Sequence, residues 1–169
     1  PDNTTSLGFV SFSNCKALTD FKVTETGNGT GIELGHSAFE YCDGLKTFDA
    51  SHFTKIEHSA FISCISLETI TFSDSLESIN AKAFMDCTSL KNVTLPDSLS
   101  LIEPNAFAGC TSLTAISIPS AMTEIKEGVF YKTGLTEIFI PSNVSYIGNS
   151  AFDGCQNLTK VEFAEDGEK

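Results

Sequence analysis

The chain has 169 residues, 41 % hydrophobic and 19 % charged, a balance that fits one soluble domain able to bury a core. Its formal charge of −12 repels phosphate backbones and anionic lipid, which argues against sequence-independent nucleic-acid or membrane-surface binding. No apolar run approaches the roughly 20 residues that span a bilayer, and Pro1 follows no basic-then-apolar leader, so any secretion signal is expected to have been removed or to lie outside this sequence.

Taken from its start, the chain opens inside a unit: Leu7-Gly8-Phe9-Val10-Ser11-Phe12 reads as the return limb of a repeat. Cys15, Leu18 and the apolar pair Phe21/Val23 follow, and the same order then recurs to the end of the chain. The Phe column is Phe12, Phe39, Phe61, Phe84, Phe107, Phe130 and Phe152, with spacings of 27, 22, 23, 23, 23 and 22. Three residues after each Phe stands a Cys, except in the sixth unit, which has Thr133 and is one residue shorter. The Leu column runs Leu18, Leu45, Leu67, Leu90, Leu113, Leu135 and Leu158, and each Leu precedes an apolar-x-apolar pair such as Ile116/Ile118. That alternation predicts a half-buried strand, ended by Pro96, Pro119 or Pro141 in three units because proline lacks the amide a continuing ladder needs. A further apolar column five residues before each Phe, from Leu7 and Leu34 to Ile147, predicts a short extended return limb. Between limb and Cys there is room only for a helical turn carrying the Phe inward, so each coil is expected to have four inward columns.

One unit cannot bury its own apolar side, so stability has to come from stacking, with coils about 4.8 Å apart. The expected fold is a single solenoid of seven repeats over 1–169, a right-handed superhelix with one parallel strand per coil on a concave face. Two places break the period: an insertion at 24–31, rich in Gly and Thr, and the shortened unit around Lys132-Thr133-Gly134; both are expected to be surface loops. The tail at 165–169 is expected to be loose, and the lack of evident polar end caps points to a fragment of a longer ectodomain.

The string Cys-x-x-Leu-x-x-Ile-x-Ile-Pro followed by Ile-Gly-x-x-Ala-Phe resembles the BspA-like, or Treponema pallidum type, leucine-rich repeats. Its fullest copies are Leu113-Thr114-Ala115-Ile116-Ser117-Ile118-Pro119 and Ile147-Gly148-Asn149-Ser150-Ala151-Phe152. The resemblance covers almost the whole chain and implies a secreted or cell-surface protein of a host-associated microbe that acts in adhesion or protein binding. Departures are the long second unit, Ala50 and Ser51 where a larger apolar residue and Pro are typical, and the missing sixth Cys.

The residues offer little to catalysis. Equivalent cysteines on adjacent coils would hold Cβ atoms about 4.8 Å apart with parallel vectors, against the roughly 3.8 Å of a disulfide, so free core thiols are expected. His36 and His58 share one slot and, with Glu57, form a weak candidate for a zinc site against the commoner reading of neighbouring surface imidazoles. No phosphate-cradling loop, nucleophile elbow or zinc-protease motif is present. A non-enzymatic protein without a cofactor is therefore expected. Asn-x-Ser/Thr strings at Asn3, Asn28, Asn92, Asn143 and Asn157 carry no information in so Asn- and Thr-rich a chain.

The natural reading head is the outward side of the strands. The column inside the apolar pair places Lys22, Asp49, Thr71, Thr94, Ser117, Phe139 and Glu162 there. The column before the pair adds Thr47, Thr69, Asn92, Glu137 and Lys160. Phe139 is the exception among polar neighbours, and aromatics concentrate at interaction hot spots. A second lead is an apolar strip after the Phe anchors, Ile62, Met85, Ala108 and Tyr131, with partial burial against the next coil as the alternative. The expected partner is a protein or glycan on a host or neighbouring cell surface, with neither nucleic acid nor membrane insertion. The rival expectation is a structural spacer or self-associating solenoid that displays another domain.

Overall fold

The computed structural model describes residues 6–23 and 33–164, so the insertion at 24–31 and the tail at 165–169 lie outside the described residues. In chain order the strands are β1 Ser6–Leu7, β2 Glu33–Leu34, β3 Thr47–Ala50, β4 Lys55–Ile56, β5 Thr69–Phe72 and β6 Ser78–Ile79. There follow β7 Leu101–Ile102, β8 Glu124–Ile125, β9 Glu137–Ile140, β10 Tyr146–Ile147 and β11 Lys160–Phe163. The two-residue strands are the return limbs and the four-residue strands the expected apolar pairs. All pairings are parallel and join like positions of successive coils, as in Ile56↔Ile79↔Ile102 and Phe48↔Ile70. The chain is a parallel solenoid with about 23 residues per coil.

The Phe column forms its axis. From Phe12 to Phe152 each ring stacks on the next at 5.1–6.0 Å between centroids, with planes within 19° of parallel. Phe39, Phe61, Phe84, Phe107 and Phe130 are fully buried, beside the Leu, Cys and return-limb Ile columns. A further inward column was not expected: Phe53, Leu76, Leu99 and Met122 are also buried, and Val144 packs on them. Each of these five closes a turn to the carbonyl three residues back. Its members differ in type, which hides a column whose spacing of 23, 23, 23 and 22 is regular.

The segment between return limb and Cys is not a helical turn. Its amides alternate: those of Ala38, Glu40 and Cys42 close turns to the carbonyls of Gly35, Ser37 and Phe39, while those of Ser37, Phe39 and Tyr41 reach His58, Ala60 and Ile62 of the next coil. The chain can alternate this way because two residues per coil adopt positive φ, Ser37 and Tyr41 here (55° and 56°), Lys82 and Asp86 two coils on (59° and 60°). A helix would have pointed every amide along its own axis; the turns leave every second one to bind the neighbouring coil.

The strand ladder is less regular than one strand per coil. β3 pairs with β5 and β9 with β11, but the two intervening coils contribute only the bridges Thr69↔Asn92 and Asn92↔Ala115. Proline explains where it thins. After β11 the amide of Ala164 donates to Ile140 at 2.9 Å; Pro96, Pro119 and Pro141 occupy the same slot and have no amide to give. The ladders survive where the later strand is followed by Ser73 or Ala164.

The shortened sixth unit is likewise not a surface loop. Thr133 and Gly134 are buried, because with one residue fewer the chain cuts across the corner. Gly134 passes so close to the previous coil that a Cβ there would lie 2.2 Å from the Thr111 carbonyl oxygen. Thr133 turns into the Cys slot, and its hydroxyl donates to the Phe130 carbonyl at 3.0 Å.

Candidate functional site on the strand face

All twelve strand-face candidates are exposed: Lys22, Thr47, Asp49, Thr69, Thr71, Asn92, Thr94, Ser117, Glu137, Phe139, Lys160 and Glu162. Side chains stand perpendicular to a sheet and alternate between its faces, so burying Phe48, Ile70 and Ile138 turns their neighbours outward. Register brings Thr47 beside Thr69, Asp49 beside Thr71, Glu137 beside Lys160 and Phe139 beside Glu162.

The middle of this face is distinguished by what its polar groups do not do. Among the described residues, the side chains of Thr47, Thr69, Thr71, Asn92, Thr94 and Ser117 make no hydrogen bond. Elsewhere the same residue types are engaged: Thr88, Thr111, Thr136 and Thr159 donate to carbonyls of the preceding coil at 3.1–3.4 Å. Ser98 does the same to Leu76 at 2.7 Å, and Asn143 to both Ser120, at 2.6 Å, and Met122. The difference is geometric. A side chain perpendicular to the sheet points away from the carbonyls in its plane, whereas each corner hydroxyl lies within reach of a carbonyl of the coil before, and Thr136 and Thr159 use the carbonyl that also accepts their own amide.

The two ends of the face carry charge. At one, Asp20, Lys22, Thr47, Asp49, Thr69 and Thr71 rim a groove of about 360 Å³ floored by Phe21 and Phe48. The Lys22 ammonium pairs with Asp20 at 3.0 Å, and hydrogen bonds from the Ser51 side chain and amide hold the Asp49 carboxyl below its ordinary range. At the other end a dent of about 310 Å³ opens between Ala115 and Ser117 on one side and Glu137, Phe139, Lys160 and Glu162 on the other. Lys160 bonds Glu162 at 2.8 Å, which with that carboxylate's charge raises the lysine's pKa.

The remaining candidates are used structurally. The His36 and His58 rings stack at 6.1 Å with planes 22° apart. His58 Nδ1 is hydrogen-bonded to Ser59, and Glu57 is shared between His36 at 3.6 Å and the Asn80 amide at 2.7 Å. Among the described residues no three His, Cys, Asp or Glu side chains stand where a metal could be held. Five thiols tie coils together: Cys42, Cys64, Cys87, Cys110 and Cys155 each donate to the Phe carbonyl of the preceding coil at 3.0–3.2 Å. Desolvation pushes Cys42 up to about 11 and Cys64 up to about 12. Cys15, expected in the core, is exposed instead. The apolar strip is partly buried: Ala108 is inside, and Ile62, Met85 and Tyr131 are half-covered.

A parallel solenoid of this period, with Leu inward and a variable outward column, is a leucine-rich repeat protein. The model for the BspA type leucine rich repeat region matches in six copies over residues 1–81 and 54–168, so the chain belongs to that family. A leucine-rich repeat protein from Bacteroides ovatus superposes with a TM-score of 0.85 at 31 % identity; the match covers 94 % of this chain and 41 % of that one. The Treponema pallidum leucine-rich repeat protein matches at 26 % identity, TM-score 0.77, over 92 % of this chain and 72 % of its own length. A leucine-rich cell surface protein from Faecalibacterium prausnitzii, at 22 % identity and TM-score 0.57 over 95 % and 58 % of the two chains, shares the fold. No curated protein matches the sequence. These relatives are leucine-rich repeat proteins, a non-enzymatic scaffold family suited to protein–protein interaction. Among the described residues no helix is long and apolar enough to cross a membrane.

Proposed function

We propose that this chain is a non-enzymatic recognition module of the cell exterior that binds another protein through its strand face, in the service of adhesion. One observation carries the reading: among the described residues the row of exposed hydroxyl and amide side chains from Thr47 to Ser117 is unengaged, while the same groups at the coil corners are bonded to carbonyls. Donors and acceptors held in register on a sheet lose little entropy on meeting a partner, which favours affinity by pre-organisation. The family resemblance supports the exterior location and adhesion.

The test is binding to a panel of extracellular-matrix proteins, mucins and whole epithelial cells. The double substitution Thr71→Arg/Thr94→Arg should weaken binding at least about tenfold, the usual consequence of placing bulk and charge in an interface centre. Glu127→Arg, exposed in the turn after β8 and away from the strand face, should leave binding and thermal stability unchanged. Binding lost with Glu127→Arg and kept in the strand-face variant moves recognition to another side; no binding by the folded chain favours the spacer.

A further inference from the structure

We propose that the dent beside Phe139 seats an arginine or lysine side chain of the protein partner, making it a cation-accepting pocket at one end of the strand face. The proposal rests on the strand-face reading above and adds the chemistry of the group recognised.

Phe139 is 51 % exposed in the middle of β9, on a column otherwise made of polar residues. Its ring is open. Among the described residues no aromatic stacks on it, and the sole cation placed over a ring is Lys132, over Tyr131. Ala115 and Ser117 on the preceding coil are small, and their size makes the dent of about 310 Å³ beside the ring, room for one long side chain.

The charges around the ring favour a cation. Glu137 lies on the same face two residues before Phe139, and Glu162 sits directly opposite it in register. Lys160 is the local basic group and it bonds Glu162 at 2.8 Å; Glu137 has no ion-pair partner among the described residues. Lys160 faces Glu137 in register and feels its charge, but one lysine against the two carboxylates of Glu137 and Glu162 leaves the rim beside the uncovered aromatic face net negative. The ring's quadrupole attracts a cation over its face, and a carboxylate can take the two parallel hydrogen bonds that a guanidinium offers. The formal charge of −12 on the whole chain draws basic partners toward it and repels acidic ones. A neutral sugar could also stack on Phe139, but it gains nothing from the net negative rim.

The experiment is NMR titration of the isotopically labelled chain with three probes: acetyl-Gly-Ser-Arg-Ser-Gly-amide, the same peptide with Glu for Arg, and a neutral glucan tetrasaccharide. The arginine peptide should move the Phe139 ring and Glu137 side-chain signals saturably, weakening several-fold between about 0.05 and 0.5 M salt as screening lengths shorten. Glu137→Gln and Phe139→Leu should each reduce affinity several-fold without lowering the melting temperature. Equal shifts with the glutamate peptide, shifts from the sugar alone, or no effect of Glu137→Gln overturn the proposal. Failure here, with panel binding still lost in Thr71→Arg/Thr94→Arg, removes the cation pocket and leaves strand-face recognition standing. If neither effect is seen, both proposals fall.

Discussion

The strand face and the turn edge of each coil follow the same period but hold the stack in different ways. Along the turn edge every junction from the second coil onward is tied by amides, as Ser37 to His58, Ser59 to Ala81, Lys82 to Pro104, Asn105 to Glu127 and Gly128 to Asn149. The thiol-to-carbonyl bonds run beside them. The strand ladder thins at the junctions whose later strand ends in proline, and among the described residues the hydroxyl and amide side chains in the middle of its outward face make no hydrogen bond. One edge carries the cohesion, which leaves the other free to vary in sequence. A repeat protein needs that division, because a recognition surface has to change without unfolding its scaffold.

Three measurements bear on this contrast. Phe84→Ala should do the most damage: the ring is fully buried, stacked at 5.4 Å on Phe61 and 5.3 Å on Phe107, and its loss should cost about 3–5 kcal/mol in urea unfolding. A loss no larger than that of a strand-face substitution would put the cohesion elsewhere.

Alkaline titration comes next. Burial raises the Cys64 thiol from about 9 to about 12. Below about pH 9 the thiol keeps its proton in both folded and unfolded chains and stability is full. Above that the unfolded chain ionises first, so stability should fall by up to about 1.4 kcal/mol per pH unit until the folded thiol also titrates. Cys64→Ala should flatten the slope of unfolding free energy between about pH 9 and pH 11 by up to that amount. An unchanged slope would mean that the thiol is not sealed behind the turn edge.

The smallest effects test the contrast most directly. Thr71→Val, on the strand face, should change stability by less than about 0.5 kcal/mol. Thr136→Val removes the hydroxyl that donates to Thr114 at 3.3 Å and should cost about 1 kcal/mol. Equal values for the pair would erase the distinction between engaged and unengaged hydroxyls.

Much of the fold was legible because burial repeats. The Phe, Cys, Leu and Ile columns keep residue type as well as spacing, and the exposed strand column follows from their alternation. The column of Phe53, Leu76, Leu99, Met122 and Val144 was missed since it keeps spacing without type. The prolines were visible, but they were read as ends of single strands; their effect, a missing donor to the coil before, appears only when coils are laid side by side. Nothing in Tyr41 or Lys82 announces a left-handed backbone, for such residues rarely adopt one. The coil compels it by needing alternate amides to face the next turn.

The candidate site divides the same way. That Thr71 or Phe139 faces outward could be read from the two-residue period, and so could the polar middle of the face. That the Thr71 hydroxyl is unengaged among the described residues while Thr136 is bonded could not, because the two differ only in whether a carbonyl of the preceding coil lies within reach. That Glu137 makes no ion pair among the described residues, with Lys160 drawn to Glu162 instead, likewise depends on which rotamers meet across a junction. Sequence by itself determined the period, the inward columns that keep residue type and the family, since those are imposed by apolar burial repeated at fixed intervals. Tertiary structure decided which polar groups are consumed in holding coils together and which are left for a partner, since hydrogen bonds depend on direction as well as spacing.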